Sequence, residues 1–339
     1  MDFSLYRSFP QDLETEWNHL LAESCSHVPF LRYEYLETWW QTRGGGEWPQ
    51  DARLAIVAAR QEGRLVGIAP LFLADWEGKP TLLLLGSIEI SDYLDLIARP
   101  ADLPAFTREL LAFLKSDASE LPGWERLDLY NVIETSSTLP ALRSAASEHG
   151  LAYAQENFRP AMTLSLPGDW ETYLAGIDKK QRHEIRRKMR RAYSDSTPVR
   201  WYIARDPCAI DAEIEDFLRL MALDAEKAAF LTPAMRENFR RTARCAFEQG
   251  CLLLAFLEID GNKAATYLCF DYLDQLWVYN SGMDGTYTEY SPGWVLLGEL
   301  LKWGNDNGRK VFDFMRGDED YKARFGAKRR EVLRVTLDR

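Results

Sequence analysis

The residues best suited to chemistry lie near the carboxyl end of the chain, in the segment FDFMRGDEDYK at 312–322. Asp318 and Glu319 are adjacent carboxylates after a predicted strand, and repulsion between them together with partial burial would raise one pKa toward neutrality. Such a group is a candidate general base, and Tyr321 is a candidate proton donor. The alternative is a solvated acidic turn that pairs with nearby basic side chains.

A helix start lies upstream of this segment and is a candidate anion site. Ser291 is a residue type that caps helices, Pro292 suits the first helical position, and apolar spacing predicts a helix over 292–306. Backbone N–H groups near Gly293 and Trp294 would face an anion such as a pyrophosphate. Two carboxylates in the preceding loop disfavour an anion there, so an ordinary capped helix is the alternative.

Thiol and metal chemistry find little support in the sequence. The five cysteines, at positions 25, 208, 245, 251 and 269, form no C-x-x-C pair. Four histidines, none in an H-x-x-x-H arrangement, add no ligand set, so we expect no metal and no disulfide framework. Cys269 lies in a predicted strand without a nearby histidine and is interpreted as a buried thiol rather than a nucleophile.

Size and charge limit the class of protein. With 339 residues and 46% hydrophobic residues, the chain is long enough for two domains. Its net charge of -11 argues against a DNA-binding or anionic-membrane protein. The first residues lack the basic and apolar regions of a targeting peptide, and no apolar run is long enough to span a bilayer. We therefore expect a cytoplasmic protein without a transmembrane segment.

A basic helix contrasts with this acidic background. Residues 179–191 contain eight Lys/Arg among thirteen, with apolar residues at helical spacing on the other side. The charge density favours a phosphate-bearing partner, and Arg186 is a candidate substrate-binding residue in it. The candidate partners are the CoA 3′-phosphate, a phosphorylated acceptor, an acyl carrier protein or a tRNA. Simple solvation of a charged helix face is the alternative.

The order of predicted elements repeats once along the chain. Each half contains a hairpin, a third strand, a helix and a closing strand with Asp in its middle. The ranges are 54–73, 81–87, 102–117 and 124–130 in the first half, and 252–270, 275–282, 292–306 and 309–315 in the second. This order predicts a mixed α/β fold in each half, an antiparallel meander that crosses through a helix to a parallel strand. Breakers at 167–169 divide the chain into domains 1–166 and 167–339.

Several motifs in this duplicated order resemble known proteins. They are 279–284 (YNSGMD), 290–293 (YSPG), 312–319 (FDFMRGDE) with 321–326 (YKARFG), and, in the first half, 29–31 (PFL), 69–71 (APL) and 91–93 (SDY). The second half resembles the GNAT superfamily of acyl-CoA N-acyltransferases. The whole chain resembles the tandem-GNAT branch that includes CelD-like acetyltransferases and is related to the FemABX aminoacyltransferases. The resemblance implies tandem duplicated GNAT-like domains, each with a mixed, mostly antiparallel sheet flanked by helices.

The resemblance also implies an activity and a site. The expected reaction transfers an acyl group, most simply acetyl, from CoA to a primary amine of a sugar, amino acid or envelope precursor. Catalytic roles fall on Asp318, Glu319, Tyr321 and Asp92. CoA contacts fall on Tyr279, Asn280, Ser281, Tyr290, Ser291, Gly293, Trp294 and Lys322, and acceptor contacts fall on Asp92, Tyr93, Arg316 and Arg186. A backbone N–H near 279–281 is the implied oxyanion donor.

One departure from the family pattern leaves the donor open. Typical GNAT proteins hold the CoA pyrophosphate in an Arg/Gln-x-x-Gly-x-Gly/Ala loop, whereas residues 288–293 here read TEYSPG. The last glycine is kept, but the basic position and the first glycine are lost. The alternatives are aminoacyl transfer from tRNA, as in FemABX proteins, and a non-catalytic accessory protein of polysaccharide biosynthesis.

Overall fold

The computed structural model describes residues 1–121, 123–194 and 196–339. They form two compact units: unit 1 comprises Met1–Pro160 with Glu331–Arg339, and unit 2 comprises Ala161–Arg330. The division at 160/161 is close to the predicted boundary at 166/167. The end of the chain, however, returns to unit 1, because its last strand pairs there. Order along the sequence does not indicate this return.

The secondary structure is mixed α/β, as predicted. The strands are β1 (Asp2–Tyr6), β2 (Arg53–Leu54), β3 (Ile56–Gln61), β4 (Arg64–Ala69), β5 (Leu71–Trp76), β6 (Lys79–Leu84), β7 (Ile97–Ala98), β8 (Arg126–Ile133), β9 (Ala152–Ser165), β10 (Val199–Ile203), β11 (Leu252–Ile259), β12 (Asn262–Tyr272), β13 (Gln275–Met283), β14 (Val311–Arg316) and β15 (Lys328–Asp338). The helices are α1 (Glu14–Ala22), α2 (Tyr33–Gly46), α3 (Leu103–Lys115), α4 (Thr138–Glu148), α5 (Trp170–Gly176), α6 (Lys179–Ser194), α7 (Ile210–Met221), α8 (Ala225–Phe230), α9 (Pro233–Glu248), α10 (Pro292–Asp306) and α11 (Asp320–Arg324).

Unit 2 contains the predicted meander and crossover. Its sheet runs in the order β10-β11-β12-β13-β14, followed by the end of β9. The pairs from β10 to β13 are antiparallel, and α10 carries the chain to β14, which is parallel to β13. Alternate residues of β11 and the apolar stripe of α10 share one core. That core includes Leu253, Leu257, Leu296, Leu300 and Phe312.

Unit 1 differs from the predicted single meander, because it has two sheets. One sheet has the order β1-β3-β4-β7, and the other has the order β15-β8-β6-β5-β2. The β3–β4 hairpin is as predicted, but Pro70 separates β4 from β5, which pairs in the other sheet. Proline has no backbone N–H to donate to a ladder, so a strand readily changes sheets at this position. The third strand expected at 81–87 is β6, one strand later in the order.

The parallel strand pairs show the duplication most clearly. In unit 1, β6 pairs with β8 from Thr81–Arg126 to Leu83–Asp128, and in unit 2, β13 pairs with β14 from Gln275–Val311 to Trp277–Asp313. Each parallel stretch ends on a fully buried aspartate. β15 supplies an arginine to each aspartate: Arg334 donates to Asp128 at 3.0 and 2.7 Å, and Arg330 lies 3.7 Å from Asp313.

The two units differ beyond the parallel stretch. In unit 1, the segment 88–94 lies against β8: the Asn131 amide donates to the carbonyls of Ile88 and Ser91 at 2.8 and 2.7 Å. The Leu94 N–H donates to the Asn131 carbonyl at 2.8 Å. In unit 2, β13 continues to Met283 without further pairing to β14. A cavity opens beside its end.

Candidate functional site

The cavity in unit 2 has a volume of about 540 Å³. It lies between the end of β13, the loop that leads to α10, the α7–α8 connection and α11. Its lining residues are Leu223, Asp224, Lys227, Tyr267, Ser281, Gly282, Met283, Asp284, Gly285, Thr288, Ser291, Pro292, Gly293, Trp294, Leu297 and Tyr321. This mixture of apolar and polar groups suits a small molecule with a few oriented polar contacts.

A β-bulge shapes the strand that leads into the cavity. The register between β12 and β13 shifts between Leu268 and Cys269, and Tyr279 is the extra residue. Bulges re-aim side chains, and beyond this one the pairing resumes from Leu268–Asn280 to Ala265–Met283. Tyr279 packs against the rings of Phe239 and Phe270 and is not among the residues that line the cavity.

The start of α10 forms another wall. The helix spans 292–306 as predicted, but Ser291 adopts a left-handed conformation with φ of 52° and makes no side-chain cap. The expected serine cap is therefore wrong, because an N-cap serine needs an extended backbone to reach the second or third N–H. A Cβ on Gly293 would lie 3.3 Å from the Met283 sulfur. The absence of a side chain here keeps the helix end accessible.

Lys227 on α8 also lines the cavity and is the one cationic side chain among the lining residues. Its ammonium donates to the Ser281 carbonyl at 2.6 Å, and no other partner of the Lys227 ammonium occurs in the described chain. Asp224 caps α8 by accepting from the Lys227 N–H at 3.0 Å. Burial lowers the pKa of Lys227, opposed by the nearby carboxylates of Asp224 and Glu319.

Two tyrosines, Tyr267 and Tyr321, line the cavity, and the buried Cys269 lies near both. Burial raises the pKa of Tyr267 and of Tyr321, and the negative charge of Glu319 adds to this effect on Tyr321. Both hydroxyls therefore stay protonated over the ordinary pH range. Cys269 is fully buried and burial raises its pKa, so it is the inert thiol that the sequence indicated.

The structure brings together five of the residues named from the sequence for CoA contact or catalysis. Ser281, Ser291, Gly293, Trp294 and Tyr321 all line the cavity. They come from the end of β13, the start of α10 and the short helix α11, three elements that are separate in sequence.

Two other predicted contacts lie next to the cavity rather than in its wall. The Asn280 side-chain oxygen accepts the Ser281 N–H at 2.8 Å, and the Tyr290 hydroxyl donates to Thr197 at 3.1 Å. The Ser281 N–H, a group in the implied oxyanion position, is thus already engaged.

The acidic segment after β14 differs from its expected environment. Asp318 and Glu319 are not partly buried: their side chains are 58% and 59% exposed. Asp318 pairs with Arg329 at 3.2 Å, and Glu319 pairs with Lys322 at 2.8 Å. The partial burial expected of a general base is therefore absent.

Lys322 also has a different place from the one expected. It is buried and donates to the carbonyls of Arg316 and Gly317 at 2.8 and 3.1 Å. With Glu319 as a third acceptor, its three ammonium protons are all used within the loop between β14 and α11. Lys322 holds this loop together and is not among the lining residues.

The remaining predicted residues lie elsewhere. Asp92 and the buried Tyr93 belong to unit 1, within the segment 88–94 that lies against β8. Arg186 pairs with Glu171 on the outer side of α6. Neither group contributes to the cavity of unit 2.

Helix α6 itself packs against α10. Met189 lies where a side chain on Gly298 would be, and the Lys188 ammonium lies 4.1 Å from the ring centre of Trp294. Four outward cations, Lys179, Lys180, Arg190 and Arg191, are exposed and form no ion pair with any part of the chain that the structure describes. Helix α6, which carries these cations, therefore contacts the cavity wall at Trp294.

Sequence reasoning missed Lys227 and Tyr267. Asp224 followed by helix-forming residues indicates a helix start, which would have placed Lys227 in its first turn. Only the fold brings this turn to Ser281. Tyr267 appeared as one apolar residue among many in a strand, and its proximity to Tyr321 depends on the pairing of distant segments.

Comparisons with known proteins agree with this geometry. Residues 179–323 match the family model described as the acetyltransferase (GNAT) domain. Unit 2 carries a GNAT domain. The lining residues of the cavity all fall within the matched range, so the cavity belongs to the GNAT domain. None of the curated proteins matches the sequence significantly.

Solved structures show the same fold over nearly the whole chain. FemX has a TM-score of 0.67 at 12% identity, with 99% of this chain and 97% of that chain covered. L-PGS from Bacillus licheniformis has a TM-score of 0.57 at 12% identity, covering 98% and 93%. A tandem GNAT protein from the clavulanic acid biosynthesis pathway has a TM-score of 0.50 at 14% identity, covering 98% and 97%. These similarities establish the tandem GNAT-like fold.

Two further features concern metal ligation and membrane insertion. Within the described ranges, no group of three or more His, Cys, Asp or Glu residues is placed to hold a metal ion. No described helix is both long enough and apolar enough to cross a bilayer.

Proposed function

We propose that this protein transfers an acyl group, most simply acetyl, from CoA to a primary amine of a sugar, amino acid or cell-envelope precursor. The observation that carries the proposal is the cavity of the GNAT domain, where the strand end at Ser281, the helix start at Gly293 and the hydroxyl-bearing Tyr321 meet. Acyl-CoA is a cytoplasmic metabolite, so we place the reaction in the cytoplasm.

The chemistry requires three events at this cavity. The neutral amine attacks the thioester carbon, the carbonyl oxygen becomes negative, and the thiolate leaves with a proton. Tyr321 is placed for the last event, because its side chain lines the cavity and its hydroxyl carries a proton to give. We assign it the role of proton donor to the leaving thiolate.

The donor is tested by isothermal titration of the full chain with acetyl-CoA. We expect binding in the unsubstituted protein and none in Gly293→Trp, because the indole would fill the space beside Met283. Gly176→Trp is the matched control: a Cβ there meets nothing within 4 Å. Release of free thiol with a panel of amino sugars, amino acids and diamines then identifies the acceptor. Unchanged acetyl-CoA binding in Gly293→Trp would show that the cavity is not the acetyl-CoA site.

A second candidate is aminoacyl transfer from tRNA. The similarity in fold to FemX and the exposed cationic face of α6 favour it. That helix is about 24 Å long at 1.5 Å per residue, so several phosphates can contact it at once. An acyl carrier protein or the CoA 3′-phosphate would use the same charges.

Titration with tRNA distinguishes the two donors. If tRNA is the donor carrier, binding weakens steeply with salt and is lost when Arg186, Arg187 and Arg190 are neutralised together. If CoA is the donor, the same variant still binds acetyl-CoA and turns it over, with at most the weaker binding that loss of a contact to the 3′-phosphate causes. Binding of CoA without turnover over the whole amine panel would support a non-catalytic accessory role.

A further inference from the structure

The position of Lys227 suggests a role beyond holding the strand end. Its ammonium carries three protons, and one is donated to the Ser281 carbonyl at 2.6 Å. No described residue accepts the other two, although the side chain lines the cavity. A partly buried cation with spare donors in a cavity is placed to contact an oxygen of a bound molecule.

The surrounding groups indicate which oxygen this is. From α8, the Lys227 ammonium reaches the Ser281 carbonyl at the end of β13, and Tyr321 lines the same cavity. The Ser281 N–H is engaged by Asn280 at 2.8 Å and is not available to a ligand without rearrangement. The backbone donor implied for the oxyanion is therefore occupied. The ammonium of Lys227 is a charged donor in the same cavity, and it lies 2.6 Å from the carbonyl oxygen of the same residue, Ser281.

We propose that Lys227 is a catalytic residue of this GNAT domain, whose ammonium donates to the thioester carbonyl oxygen and stabilises the oxyanion formed from it. The inference rests on the proposed acyl transfer. The amine nitrogen forms a bond to the carbonyl carbon while the π electrons of the carbonyl move to oxygen, beside Lys227. The C–S bond then breaks as the carbonyl re-forms, and the sulfur takes a proton from Tyr321. The amine loses a proton to solvent, and Tyr321 takes one from solvent before the next turnover.

Other roles for Lys227 fit the structure less well. A base would have to be neutral, and burial does lower the pKa of Lys227. The Lys227 nitrogen, however, donates to the Ser281 carbonyl at 2.6 Å, which is the contact of a proton donor. A purely structural lysine would use all its donors within the protein, as Lys322 does. The spare donors of Lys227 point instead to contact with a ligand.

The first experiment observes the carbonyl without needing an acceptor. Acetyl-CoA labelled with ¹³C at the carbonyl is bound to the full-length protein, and its carbonyl stretch is measured by isotope-edited infrared spectroscopy. We expect a shift to lower wavenumber in the unsubstituted protein, loss of the shift in Lys227→Met, and its retention in Lys227→Arg. Lys302→Met is the matched control, because Lys302 is an exposed residue of α10 outside the cavity.

Each outcome decides the inference. An unchanged shift in Lys227→Met overturns it, and so does loss of acetyl-CoA binding in that variant, which would make Lys227 a binding residue. If the unsubstituted protein does not bind acetyl-CoA, the proposal that CoA is the donor is wrong. Isothermal titration of that protein shows this independently of Lys227. Should Lys227→Met fail to fold, Lys227→Ala replaces it, since alanine preserves the helix.

A kinetic readout is possible once an acceptor is identified. We expect kcat of Lys227→Met to fall about 100-fold with KM for acetyl-CoA nearly unchanged, the pattern for a donor whose hydrogen bond is much stronger in the transition state than in the bound substrate. Lys227→Arg recovers most of the loss. A rise in KM with unchanged kcat contradicts the assignment.

Discussion

At the scale of single residues, the cavity contains two groups whose protonation is set by burial in opposite ways. Burial favours the neutral form, which is the proton-bearing form of Tyr321 but the proton-free form of Lys227. The tyrosine is therefore preserved as an acid, while the ammonium becomes easier to lose. The two groups limit activity at different pH values.

The pH profile of kcat tests this difference. The pKa of Lys227 is lowered from the ordinary lysine value of 10.5, so kcat falls as pH rises through a value below 10.5 and the ammonium is lost. Tyr321 does not contribute to this limb, because its pKa is raised above the ordinary value of 10.0. In Lys227→Arg the limb disappears, since a guanidinium does not titrate there. If kcat of Lys227→Arg still fell over the same pH range, the titrating group would be one other than Lys227.

Tyr321→Phe removes the proton donor and little else. The ring packs near Phe314, with centroids 6.2 Å apart, and this contact survives the substitution. We expect kcat to fall about 100-fold, within the usual range for a positioned acid. The melting temperature stays unchanged. If Tyr321→Phe kept full activity even with acyl donors whose thiol is a poor leaving group, solvent rather than Tyr321 would be the proton donor to the thiolate.

Lys322 was expected to contact CoA, but in the structure it holds the loop between β14 and α11. Lys322→Met tests this structural role. Loss of the ammonium leaves the carbonyls of Arg316 and Gly317 without their donor. We expect the free energy of unfolding to fall by about 2 kcal/mol, measured by urea titration. Glu319→Gln serves for comparison and costs less, because that carboxylate is mostly exposed. A stable Lys322→Met protein that has lost acetyl-CoA binding would restore the original assignment.

At the scale of elements, α7 and β13 are in direct backbone contact. A Cβ added at Gly282 would overlap the backbone of Leu220 and Met221. Backbone atoms cannot move aside as the end of a side chain can. The glycine thus fixes how closely the wall that carries Lys227 approaches the end of β13.

Gly282→Ala therefore separates these two elements. We expect a loss of stability of about 1–3 kcal/mol, typical of overpacking, together with weaker acetyl-CoA binding. Gly285→Ala is the matched control in the same cavity wall, since its Cβ would meet nothing within 4 Å. Thermal unfolding and titration of both variants make the comparison. Equal behaviour of the two would show that the α7–β13 contact is not close in solution.

Much of this architecture was predictable from local pattern. The limits of α10 agree with the predicted 292–306, because apolar spacing, Pro292 and Gly308 mark both ends. The meander and the crossover in unit 2 followed from turn residues. Three features could not be predicted in this way: the break between strands at Pro70, the left-handed backbone of Ser291 and the contact between Lys227 and Ser281. Each depends on which distant segment of the chain lies alongside.

At the scale of the whole molecule, the last strand links the end of the sequence to the first unit. Arg334 of β15 donates twice to the buried Asp128 of β8 and also lies 2.9 Å from Glu77. Residues more than two hundred positions apart thus share one ion-paired core site. Unit 1 therefore includes a strand segment that follows unit 2 in the sequence.

Arg334→Met tests how much the ion pair between Arg334 and Asp128 contributes to the free energy of unfolding. The substitution leaves the Asp128 carboxylate buried without its main partner, and we expect a loss of about 3 kcal/mol in the free energy of unfolding. Arg200→Met is the control, because the Arg200 side chain that pairs with Glu258 is 71% exposed, so we expect its loss to cost much less than the loss of Arg334. Chemical denaturation followed by tryptophan fluorescence measures both. Equal losses would mean that Asp128 is adequately solvated without Arg334.

The segment 88–94 of unit 1 has a consequence for stoichiometry. It lies against β8 beyond the parallel stretch, the place that corresponds in unit 2 to the opening beside β13. The first copy of the duplicated fold therefore contains a peptide of its own chain where the second copy can admit a ligand. Although the fold is present twice, we expect a titration to saturate at one acetyl-CoA per chain.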